Sequence, residues 1–210
     1  GGIVGSGDPS IINCRADVNV TVNAPASTSK SFTVAAGGLI GDISFNNEHD
    51  NTITNCTVRG TVTVNSQDLS GNDFHIGGVA GLAFANVMDC TSYAEINSTS
   101  ENEVRVGGLV GAVGAGSKIT NCSVYGTVHG KKNNFVGGAY GYAVGNHERV
   151  HFGGGIEDNI PDVGTGAVGI FIGHADGVFQ TKNCSYSKVD GSFPVIGKDE
   201  SKGTQDIKMK

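Results

Sequence analysis

Tryptophan is absent from this chain, and methionine and proline are scarce, at two and four residues. The 34 glycines have no three-residue period, so a collagen-like helix is excluded. Basic residues are in the minority, 14 Lys and Arg against 20 Asp and Glu, for a formal charge of −6. No basic stripe offsets that balance, which disfavours nucleic acid and anionic membrane surfaces as partners. No apolar run approaches the length of a membrane-spanning helix, and no signal peptide is visible. The five cysteines include no Cys-x-x-Cys pair, which argues against a zinc ribbon.

What the chain has instead is internal repetition. A glycine-bracketed apolar box, Gly107-Gly108-Leu109-Val110-Gly111, recurs from Gly1, Gly37, Gly77 and Gly137, and in weaker form as Gly169-Ile170-Phe171-Ile172-Gly173. An Asn-Cys or Asp-Cys pair follows in most units, ending at Cys14, Cys56, Cys90, Cys122 and Cys184. Such self-similarity marks a repeat architecture. Val18, Val20 and Val22 alternate with polar residues, the mark of a half-buried strand. Each unit reads as about three short strands separated by turns.

Two local features refine that reading. The apolar step from Ile53 to Cys56 is three residues, repeated from Val87 to Cys90 and from Ile119 to Cys122. A bend at the intervening Asn or Asp returns both residues to one side, and stacked Asn side chains can bond to one another. The cysteines are expected to be unpaired and inward-facing, as small hydrophobes in a shared slot. In the irregular fifth unit the midpoint between Cys122 and Cys184 predicts Gly153 for that slot. The two adjacent apolar residues of the box fit either a corner or a strand covered on both faces.

The box and the Asn-Cys pair together resemble the GLUG-motif repeats of large bacterial surface proteins. The matching residues are Gly107 to Gly111, Ile119, Asn121, Cys122, Val124, Gly126 and Val128, with Gly37 to Val64 matching about as well. The final Gly203 to Lys210 resembles the segment that often follows such arrays. The resemblance implies secreted or surface-anchored, adhesin-like chains and flanking regions of IgA-specific metallopeptidases, with no catalytic residues in the repeat.

Several groups compete as chemistry. His147-Glu148-Arg149-Val150-His151 is a literal His-Glu-x-x-His, continued by Gly154 and Glu157. A zincin needs that motif on a helix. Here it lies between Gly145 and Gly153, room for about one and a half helical turns, so a polar loop without zinc is expected. Asp73 with His75, and Glu101 with Glu103 and Arg105, are the nearest groupings for a polysaccharide-cleaving site. Asp42, Glu48 and Asp50 are weak calcium candidates without EF-hand spacing. The Asn-x-Ser/Thr matches at Asn19, Asn55, Asn97, Asn121 and Asn183 are expected to be mostly corner residues.

The expectation is an all-β chain folded as a right-handed parallel β-helix of about six coils, with the handedness taken from the rule for parallel crossovers and from the resemblance. Residues 1–192 form the repeat domain, and 193–210 a polar segment that caps the array or leads into a further region. The expected function is a non-catalytic structural or adhesive module of a secreted or surface-anchored bacterial protein, itself part of a longer chain. No catalytic, cofactor or metal residues are assigned. A β-helix polysaccharide-cleaving enzyme and a metallopeptidase-associated region are the alternatives. The expected partners are glycans or host and cell-surface proteins, bound through the loops Asn46–Asn51, Ser66–Asp73 and Gly145–Gly166.

Overall fold

The computed structural model describes residues 1–24, 33–43, 51–66, 73–157 and 166–210. No helix occurs among them, so none is long and apolar enough to cross a membrane. Their strands form three sheets, and every pairing is parallel.

The fourth unit shows the plan. Val104–Gly107 lies in a five-stranded sheet, and Val110–Val113 and Lys118–Thr120 in an eleven-stranded one. Ser123–Val124 and Thr127–His129 then run in a ten-stranded sheet. Phe135–Gly137 pairs beside Val104–Gly107 and opens the next unit. Each residue therefore lies beside its equivalent in the neighbouring unit: Val106 pairs with Val136, Ile119 with His147, and Val128 with Ile156. Interior positions form columns of Val, Ile, Ala and Phe, most of them fully buried. A buried aliphatic side chain contributes about 1.5–3 kcal/mol, so these columns are the main source of cohesion.

The glycine box does two things at once. The chain bends sharply at Gly108 and Leu109, between the strands Val104–Gly107 and Val110–Val113. A Cβ on Gly107 would sit 2.1 Å from the Val110 carbonyl oxygen, and one on Gly108 would sit 2.3 Å from the Gly138 oxygen. Only glycine allows that approach. The outer faces of the two strands flanking the bend then pack on each other. The Arg105 guanidinium lies 5.3 Å from the centre of the Tyr142 ring, and the Phe135 and His174 rings are 4.9 Å apart. Both faces are covered, and the box is also a corner.

The Asn bend is real. Asn13, Asn55, Asp89, Asn121 and Asn183 all have φ between 52° and 56°, in the left-handed region. Asn and Asp tolerate that region better than most residues. Asn55 donates to the Asn13 side-chain oxygen at 2.7 Å, and Asn121 to the Asp89 carboxylate at 2.5 Å. The following cysteine points inward. Cys56, Cys90, Cys122 and Cys184 are buried, Cys14 is half-buried, and none forms a disulfide. Each thiol lies 3.1–3.7 Å from the carbonyl two residues back, Met88 for Cys90 and Thr120 for Cys122. That weak donor distinguishes Cys from Ala or Val in this slot.

Unit five corrects two expectations. His151 pairs with Ser123 and Ser185, so the slot between Cys122 and Cys184 holds Val150, not Gly153. Arg149 takes the bend, at φ 53°. The His-Glu-x-x-His segment is therefore not a polar loop. It is a strand, a corner and a strand, with His147 at the end of Tyr140–Glu148 and His151 at the start of His151–Phe152. The midpoint failed because residues were added unevenly: opposite Ala143 to Gly145, the sixth unit runs from Ala175 to Phe179.

Residues 193–210 add two more strands in register. Ile196–Asp199 pairs with Ile172–Lys182, and Ile207–Met209 with Cys184–Tyr186. Phe193 to Gly197 is a degenerate box: Ile170 N–H donates to Pro194 as Gly138 N–H donates to Ile170. Asp206 and Ile207 occupy the Asn-Cys positions.

Candidate functional site

Two cavities flank the corner at Arg149. On one side a cavity of about 560 Å3 is lined by Lys118, Asn146, Glu148, Gln180, Lys182 and Asp206, among others. On the other side a second cavity of about 430 Å3 is lined by Asn121, Ser123, Arg149, His151, Ser185 and Lys210, with Val150 and Asn183 between. The ridge between them consists of Glu148-Arg149 and Lys182-Asn183. Strands on either side of the corner hold these residues, so their backbone positions are set by the ladder.

The first cavity is a network of ion pairs. Glu148 pairs with Arg149 and lies 4.0 Å from Lys182. Asp206 pairs with Lys208 at 2.9 Å and accepts the Asn183 N–H at 3.0 Å. The Lys208 ammonium, helped by that N–H, holds the Asp206 carboxyl below its usual range. An acid held ionised in this way is a poor proton donor for glycosidic cleavage.

The second cavity is different in charge. Arg149, His151 and Lys210 line it, and none of its lining side chains is Asp or Glu. His151 Nδ1 lies 3.0 Å from Ser185 Oγ, and burial, then the Lys210 charge, lowers its pKa. Beside this cavity runs an outward column set by the register: Arg59, Tyr93, Tyr125, Gly153, Ser187 and Lys210. The Arg59 guanidinium lies 4.2 Å from the centre of the Tyr93 ring. Tyr93 and Tyr125 stack with centres 5.3 Å apart and planes 24° apart. They remain 40% and 46% exposed. The His151 ring stands 6.0 Å from Tyr125.

The sequence candidates fall apart in space. His147 is buried between the Tyr140 and Phe179 rings, and its Nε2 donates to the Val144 carbonyl. His151 faces outward across the wall, so the two histidines do not share one face as a zincin requires. Among the described residues no group of three His, Cys, Asp or Glu converges on a metal-sized point. Gly154 packs against the Gly126 carbonyl, and Glu157 lies 3.4 Å from His129. Asp73 and Glu103 both pair with Arg105, at 2.9 and 3.3 Å, while His75 is buried behind them. Asn133 donates to the Glu101 carbonyl. Asp42 lies on the strand Ile40–Ile43, its carboxyl pKa raised by burial and by Asp8. Glu48 and Asp50 lie outside the described residues, as do most of the loops 46–51 and 66–73 and the span 158–165 of the loop 145–166. Asn55, Asn121 and Asn183 are corner residues, whereas Asn19 and Asn97 lie on strands.

The sequence reading did not reach the tyrosine column or the two cavities flanking Arg149. A signal existed: Tyr93 and Tyr125 both stand three residues after the Asn-Cys or Asp-Cys cysteine, as do Gly153 after Val150 and Ser187 after Cys184.

Comparison with known proteins agrees with the repeat reading. The chain carries a GLUG motif at residues 102–128, the unit holding Gly107 to Val128. Over 132 residues, 57% of the chain, it is 35% identical to halomucin of Haloquadratum walsbyi. The match spans 1% of that protein's length. No solved structure matches.

Proposed function

We propose that the chain is a non-catalytic structural or adhesive module of a secreted or surface-anchored protein. The three sheets are the walls of a right-handed parallel β-helix with one coil per unit, and residues 193–210 continue its ladder with a shorter coil. The carrying observation is the register: the same interior residues lie beside one another in every unit, so most of the sequence is committed to stacking. The GLUG motif and the similarity to halomucin support the surface setting. A rod of this kind projects a distal region at fixed length and offers a long lateral face for repeated weak contacts. The ion-paired carboxylates beside Arg149 support the non-catalytic part, because Glu148 is engaged with Arg149 and the Asp206 carboxyl is held below its usual range by Lys208.

A panel of acidic and neutral polysaccharides, incubated with the protein and assayed for new reducing ends and unsaturated products, tests this. The expected result is no product above the buffer blank. Turnover that is lost on Glu148→Gln or Asp206→Asn overturns the reading in favour of a cleaving enzyme.

A further inference from the structure

Resting on the adhesive reading above, we propose that the notch between Tyr125 and Lys210 binds an anionic pyranose unit of an acidic polysaccharide. The outward column supplies the shape. Tyr125 is followed by Gly153 and Ser187 before Lys210 restores a long side chain. With layers about 4.8 Å apart, Gly153 and Ser187 would free about 10 Å, part of which the Tyr125 ring and the His151 imidazole take by leaning over Gly153. A pyranose ring fits the opening that remains.

The floor of the notch is aromatic and already held in place. Tyr93 stacks beneath Tyr125, and Arg59 caps Tyr93 from the far side. The electron-rich face of an exposed tyrosine suits the C–H-bearing face of a sugar ring. Gly153 is what allows this arrangement: a Cβ there would lie 3.1 Å from the Tyr125 ring and 2.9 Å from His151 Nε2. Any side chain at 153 would therefore displace both groups.

The remaining walls select for charge. Arg149, His151 and Lys210 line the adjoining cavity, and Ser123, Ser185, Asn121 and Asn183 supply hydroxyl and amide groups suited to sugar hydroxyls. Arg149 is shared with Glu148, so Lys210 is the cation that faces the ligand most directly, with His151, its pKa lowered by burial and by Lys210, beside it as a neutral hydrogen-bond partner. In a chain of formal charge −6 this is a local reversal of sign. It favours a carboxylate- or sulfate-bearing sugar over a neutral one.

The test uses the full chain and four probes: a decameric oligogalacturonate, dextran sulfate, neutral dextran and poly-glutamate. Binding is read by calorimetry and by tyrosine emission, which no tryptophan masks. Oligogalacturonate binding shows a carboxylate as the anion recognised, and binding of dextran sulfate alone shows a sulfate; either supports the proposal. Tyr125→Ala is expected to weaken binding roughly tenfold while Tyr125→Phe keeps it within about twofold. Lys210→Ala is expected to weaken it about threefold and to flatten its salt dependence. Equal binding of neutral dextran or poly-glutamate, no binding of either acidic glycan, or wild-type affinity in a folded Tyr125→Ala protein overturns the notch. Glycan binding untouched by Tyr125→Ala removes this site and leaves the adhesive reading standing. Product release removes the non-catalytic reading itself.

Discussion

Units four and five share one backbone plan but spend their corners differently. In unit four Asn121 takes the left-handed bend and Cys122 fills the slot beneath it. In unit five Arg149 and Val150 take those two positions. The interior barely registers the change, because Val150 is as fully buried as Cys122. The exterior changes completely. The Asn121 side chain is tied to Asp89, whereas Arg149 stands at the ridge between two cavities. Interior slots tolerate any small apolar residue, while corner residues decide what the surface presents.

The largest effect tests what the two units have in common. Gly108→Val and Gly138→Val should each abolish the cooperative thermal transition, since the added Cβ would fall within 2.4 Å of a neighbouring backbone oxygen in both units. A folded Gly138→Val protein beside an unfolded Gly108→Val protein would show that unit five is the looser of the two.

The next effect separates the units by pH. Unit five buries His147 where unit four has Ile119. Burial lowers the His147 pKa to about 4. The unfolded chain binds that proton near the ordinary value of 6.5, so stability is complete above that pH and falls between about 6.5 and 4. The loss is on the order of 3 kcal/mol for complete titration. His75, lowered to about 4 by burial and then by Arg105, acts with the same sign. His147→Phe, which keeps an aromatic between Tyr140 and Phe179, should flatten the dependence of melting temperature on pH between 6.5 and 4, leaving the shares due to His75 and His151. An unchanged slope would place the acid sensitivity elsewhere.

The smallest effect lies at the corner. An arginine at φ 53° is strained where asparagine is not. Arg149→Asn should raise stability by about 1 kcal/mol, and Asn121→Arg should lower it by a similar amount. Chemical denaturation of both variants checks the pair. A fall in stability on Arg149→Asn would mean that the Glu148 ion pair outweighs the backbone strain.

Much of the interior was legible in the sequence. The three-residue step to Cys56, Cys90 and Cys122 pointed to a bend at the residue before each, and those three residues, with Asn13 and Asn183, have left-handed backbones. The Cys slot was legible wherever Cys occupied it. It was lost in unit five because insertions lie unevenly between the markers, so counting to the midpoint reached Gly153. The box stayed ambiguous because glycine suits both a corner and a close strand approach, and this fold uses it for both.

The sequence alone determined the all-β character, the repeated layers and the buried columns, because each follows from residues recurring within a unit. Only the tertiary structure decided which exterior residues become neighbours. Box starts lie 30 to 40 residues apart, and where each surplus loops out sets which side chains share a column. The notch at Gly153 and the separation of His147 from His151 across the wall depend on that register, whereas the tyrosine stack is foreshadowed by the common place of Tyr93 and Tyr125 three residues after a cysteine. Parallel pairing between layers is long-range, and no local pattern of residues encodes it.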